Sequence, residues 1–175
     1  MTEQEWLQAA DPQPMLEFLQ GKVSERKLWL FAVACCWSMR HLFTDERSRQ
    51  AVEAAELDAD FLAEKDSREW LVATRWGEDG ARFVPAPIQA GILHELFGNP
   101  FHPVTLDPAW LAWHGGLLEA MARQMYDSRD FTDMPVLADA LEEAGCQDQD
   151  ILDHCRSEGE HVRGCWVVDL ILGKE

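Results

Sequence analysis

The pattern of apolar and polar positions is helical along the whole chain, and it is densest in Leu28–Phe43, LWLFAVACCWSMRHLF. From Leu28 through Trp37 no side chain is polar except the thiols of Cys35 and Cys36. One face carries Leu28, Phe31, Ala32, Cys35, Met39 and Leu42, and another carries Trp29, Val33, Cys36 and Trp37. A helix that is apolar all round has to be enclosed by other elements. Ten residues rise only about 15 Å, half of a bilayer core, so the stretch is too short to span a membrane. Ser24 supplies an N-cap hydroxyl ahead of it, and the segment is expected to be the central strut of a helical domain.

Other elements follow from capping and breaker residues. Thr2 and Glu5 form a capping box before Trp6 and Leu7; Asp11-Pro12 ends that helix, and a short amphipathic one through Met15, Leu16, Phe18 and Leu19 stops at Gly21. After the strut, a long helix opening at Thr44 places Ala51, Val52, Ala55, Leu57, Phe61 and Leu62 on one face. Its acids Glu53, Glu56, Asp58, Asp60 and Glu64 read as an exposed face. Ser67 caps a further helix carrying Trp70, Leu71 and Val72. GEDGARFVPAP, 77–87, reads as a loop, Ile88–Phe97 as a helix ending at Gly98, and the proline-rich NPFHPVTLDP as an extended connection.

Asp107-Pro108 starts a helix as N-cap and N1, running through Trp110, Trp113, Leu117, Met121 and Met125, with a kink or a close helix crossing expected at Gly115-Gly116. Three helices complete the chain: Met134–Ala144, a short one opening at Asp148, and Val162–Leu172. There is no run of alternating strand residues and no repeat at solenoid periods. The expected fold is all-α, a single compact orthogonal domain of about seven to nine helices over 1–175, with any subdivision at the 77–87 loop.

Composition narrows the function classes. The 175 residues include eight Trp, enough apolar material for a core, and the net charge is −17. Such a charge disfavours sequence-independent binding to DNA or RNA, which uses basic residues to displace counterions, and docking on anionic lipid. It suits solubility, or a basic protein partner. Glu3 and Glu5 stand where a secretory signal carries Lys or Arg, so no signal peptide is expected. Five cysteines, two adjacent, fit reduced thiols in a cytoplasmic protein.

The densest set of metal-ligand residue types is Cys146, His154, Cys155, His161 and Cys165. His161 and Cys165 would lie one turn apart on a helix, with Cys155 approaching from the preceding one. The spacing matches no standard zinc template, and cysteine is among the most buried residue types. Core packing is therefore favoured, with a structural zinc site as the alternative and no cofactor otherwise expected. Cys35 and Cys36 point about 100° apart and read as core filling. His94-Glu95 lacks the second His of H-E-x-x-H, since position 98 is Gly98. No Walker or dinucleotide loop is present, and no catalytic or cofactor-binding residue is nominated. Asp127–Glu160 holds eleven acids and two arginines; within it Asp139, Glu142, Glu143, Asp148, Asp150 and Asp153 are the candidates for meeting a basic partner.

FAVACC followed by TDERSRQAVE, the central FGNPFHPVTLDPAWLAW, and VLADALEEAGCQDQDILDHCRSEGEHVRGCWVVDLILGKE resemble a family of uncharacterised bacterial proteins abundant in planctomycetes. The likeness covers most of the chain. It implies a stable, recurring module and, since no biochemical activity is established for that family, no reaction. The expected function is thus a non-catalytic acidic helical interaction or regulatory module, ahead of a zinc-supported helical domain and then of an enzyme.

Overall fold

Where side chains can satisfy the free backbone groups at helix ends, the helices of the computed structural model begin and stop as the capping residues dictate. The structure describes residues 1–43, 46–62 and 84–174. Among them are ten α-helices, two of five residues, and no strand. The protein is all-α. It divides into two compact units, Met1–Phe101 and His102–Glu175. The division falls inside the proline-rich connection; of the 77–87 loop, residues 77–83 lie outside the described ones, as do the helix at Ser67–Val72 and the cap at Thr44.

In the first unit, α1 (Glu3–Leu7) carries the complete Thr2/Glu5 capping box, and α2 (Pro12–Leu19) is capped by Asp11. The Ser24 hydroxyl accepts from the Lys27 N–H to open α3 (Glu25–Ser38). No residue of α3 from Arg26 onward is exposed, as the all-round apolar pattern requires. It packs against α4 (Glu46–Leu62) and α5 (Ala86–Phe97). Trp29 Nε1 donates to the Ala55 carbonyl of α4.

The C-terminal end of α5 has carbonyls with no partner inside the helix, and two distant side chains reach them. Lys27 Nζ donates to the Leu96 carbonyl at 3.0 Å, and Trp6 Nε1 to the Gly98 carbonyl at 2.8 Å. His94 Nε2 donates to the Trp6 carbonyl at 2.9 Å. His94, the first residue of the apparent metalloprotease motif, is thus part of the seam that fixes α1 on α5.

The acidic face expected on α4 is corrected by its packing. Glu56 is buried, and Asp60 is half-buried in an ion pair with buried Arg26, Nε to Oδ1 2.9 Å. Leu57, placed inside by the apolar count, is 50% exposed. The inner face of α4 runs instead through Val52, Glu56, Ala59 and Asp60, because α3 presents a cation there. Phe61 and Leu62 side chains and Glu64 lie outside the described residues.

In the second unit, α6 (Pro108–Ala112) is capped by Asp107 and passes into a 3₁₀ turn, Trp113–Gly115. The expected kink at Gly115-Gly116 is a full break: His114, Gly115 and Gly116 have φ of 46°, 70° and 90°. Two successive glycines make this left-handed run affordable. Helices α7 (Leu117–Ser128), α8 (Met134–Glu143), α9 (Gln149–Cys155) and α10 (Trp166–Leu172) follow. Their buried faces meet in one cluster that includes Leu118, Met125, Leu137, Leu141, Ile151 and Val168. Tyr126 belongs to it and is faced by two cations, Arg163 at 4.2 Å and Lys174 at 4.7 Å from the ring centre.

The strut has a direct test. Phe31 is 7% exposed, so Phe31→Ala removes buried apolar surface and leaves a cavity, costing about 3–5 kcal/mol. Urea denaturation of the two proteins measures the difference; a loss below about 1 kcal/mol would mean that α3 is not the core of its unit.

Candidate functional site

The chain between the last two helices builds the site. Asp148 caps α9 by accepting from the Asp150 and Ile151 N–H groups. His154 and Cys155 are neighbours at the end of that helix, about 100° apart in direction. Cys155 therefore points into the core, fully buried, while His154 is half-buried on the other side. After a loop, the Cys165 N–H donates to the Val162 carbonyl at 2.9 Å and closes a turn. Gly164 has φ 94° there, a conformation that favours glycine. Cys165 is also the N-cap of α10.

That turn corrects the expected helix over Val162–Leu172, which begins at Trp166. His161 and Cys165 are close because the chain turns at Gly164, not because they share a helix. The result is a tight group of three. His154 Nε2 lies 3.1 Å from Cys165 Sγ, and the His154 and His161 rings are 5.1 Å apart at 69°. One donor atom from each of His154, His161 and Cys165 falls within 4.8 Å of the others. Cys165 is fully buried and the two imidazoles are half-buried. Trp166 packs on His154, ring centres 5.2 Å apart.

Of the five residues nominated from sequence, these three converge. Cys155 and Cys146 lie in the core of the unit, as Cys165 does, but only Cys165 lends its sulfur to the group. Cys146 follows Gly145 (φ 101°), and its N–H donates to the Leu141 carbonyl at 2.9 Å, ending α8. Burial pushes its thiol up from the ordinary range. Gly164, which aims the third ligand, was not singled out, although a second glycine five residues after Gly159 is a readable sign of a turn.

The nominated acids divide. Asp148 is engaged as the cap of α9. Asp139 and Glu142, three apart on α8, both accept from Arg156 Nη2, at 2.8 and 2.6 Å. First Asp139 and then Glu142 holds that guanidinium in its charged form. Glu143, Asp150 and Asp153 are exposed and carry no ion pair among the described residues. Arg156 was missed from sequence; the i,i+3 spacing of Asp139 and Glu142, which lets two carboxylates converge, is the signal that points to a cation.

Comparison with protein-family models, with curated proteins and with solved structures finds no match. No helix among the described residues is long and apolar enough to cross a membrane.

Cys35 differs from the cluster. Burial, and secondarily the neighbouring Cys36, raises its thiol from near 9 to about 12. At pH 8 the native thiol then holds about a thousandfold less thiolate than an unshifted one. In a Cys36→Ser chain, iodoacetamide should modify Cys35 in urea but leave it largely intact in the folded protein, read by peptide mass spectrometry. Equal labelling rates would mean that Cys35 is not enclosed.

Proposed function

We propose that the protein is a non-catalytic helical binding module that receives a basic protein partner on the acidic surface of its second unit. The observation that carries this reading is the clamp on Arg156. Asp139 and Glu142 accept from one guanidinium nitrogen while both remain at the surface, their side chains 71% and 58% exposed. The face therefore takes an arginine from the chain itself, with charge-assisted hydrogen bonds of the kind that recognise cationic side chains. Glu143, Asp150 and Asp153, exposed on the same two helices, extend the acidic surface beyond the clamp. The buried faces of α8 and α9, with Leu137, Leu141, Ile151 and Leu152, hold these carboxylates on rigid elements, which lowers the ordering cost of binding.

A surface of this kind acts mainly through attraction at a distance, so association is fast at low salt and slows as salt rises. Exposed ion pairs contribute about 0.2–1 kcal/mol each. Replacing Glu143, Asp150 and Asp153 together by Gln, Asn and Asn should then weaken binding several-fold, to about a hundredfold at most. The tagged full chain, immobilised at low salt, should retain proteins that a salt gradient elutes, and the triple variant should lose them. Retention that is the same for both chains, or that survives high salt, contradicts the reading.

A further inference from the structure

We infer that His154, His161 and Cys165 form a binding site for a borderline-soft divalent metal ion of the zinc class. The site is independent of the acidic surface and ties the end of α9 to the start of α10.

The geometry suits that ion. Tetrahedral zinc, with Zn–N near 2.0–2.1 Å and Zn–S near 2.3 Å, holds its ligand atoms about 3.3–3.6 Å from one another. Here His154 Nε2 and Cys165 Sγ are 3.1 Å apart, and the three donor atoms lie within 4.8 Å of one another. Shifts of about 1 Å or less, within the reach of side-chain torsions, bring them onto one centre. The ligands come from three different local structures: a helix end, a loop and a turn. Convergence of one donor from each is not a by-product of helical periodicity.

The donor set also selects the ion. Two imidazoles and a thiolate suit zinc or its cobalt substitute, whereas magnesium and calcium take oxygen ligands. The surroundings supply what such a site needs beyond its ligands. Cys165 is fully buried, Trp166 covers His154, and the turn closed by Cys165 N–H on the Val162 carbonyl fixes the direction of the sulfur. On binding, the Cys165 thiol gives its proton to solvent, its sulfur forms the bond to the metal, and the neutral imidazoles donate their ring lone pairs. An ion held in this way closes the loop from His154 to Cys165 and joins the two final helices. Three protein ligands leave the fourth tetrahedral position to a water molecule.

The test uses the full chain, first freed of metal by a chelator and then titrated with cobalt(II). One equivalent should produce a thiolate-to-cobalt charge-transfer band in the near ultraviolet and the intense visible bands of a tetrahedral centre. Cys165→Ser should abolish the charge-transfer band. His154→Gln and His161→Gln should each weaken binding at least tenfold. Circular dichroism checks that these variants are folded, and elemental analysis of the wild-type protein, expected to show stoichiometric zinc, gives a readout that needs no variant. The triple change at Glu143, Asp150 and Asp153 should leave the cobalt spectrum unchanged, so failure of the acidic-surface reading and failure of the metal site are told apart. Absence of the charge-transfer band in the wild type, its persistence in Cys165→Ser, or its loss in the acidic triple variant would overturn the assignment.

Discussion

A helix with apolar side chains on every side must be covered on every side, and the first unit depends on that constraint. In α3 it is met by α4 and α5. Three polar groups of α3 find partners across the same contacts. Arg26 pairs with Asp60, Lys27 reaches the Leu96 carbonyl, and Trp29 reaches the Ala55 carbonyl. Burying a charge or an amide without a partner is costly, so covering α3 also decides which acids of α4 turn inward. The C-terminal carbonyls of α5 are held by Lys27 and Trp6 for the same reason.

Much of this was legible in the sequence because it is local. The Thr2/Glu5 box, the Ser24, Asp107 and Asp148 caps, and the stops at Gly21, Gly98 and Gly145 depend on residues within a few positions of the backbone groups they serve; Asp11, read as a breaker, is also the cap of α2. The strut was legible from its lack of polar positions. What could not be read was long-range. Glu56 and Asp60 look like solvated acids until Arg26 is placed thirty-four residues away against Asp60, and Leu57 looks internal until the face of α4 is fixed by α3.

The candidate site was legible in part, for the same reason. His154, His161 and Cys165 were recognisable as ligand types. Their convergence depends on the Gly164 turn, which replaces the first turn of the expected final helix. Cys155 was equally plausible by residue type and is separated from the group by direction: it follows His154 on a helix and so points about 100° away from it. Residue type nominates a ligand; the local backbone decides where it points.

The two proposals give the second unit two kinds of work: a rigid acidic surface on α8 and α9 that would meet cations, and a metal centre that would fix the chain after α9. The second is the more specific chemical claim. Its most direct test is X-ray absorption at the zinc edge on the full chain loaded with one equivalent of zinc. The account predicts one sulfur neighbour at about 2.3 Å with imidazole nitrogens at about 2.0–2.1 Å. A first shell made only of oxygen and nitrogen, with no sulfur, would contradict it.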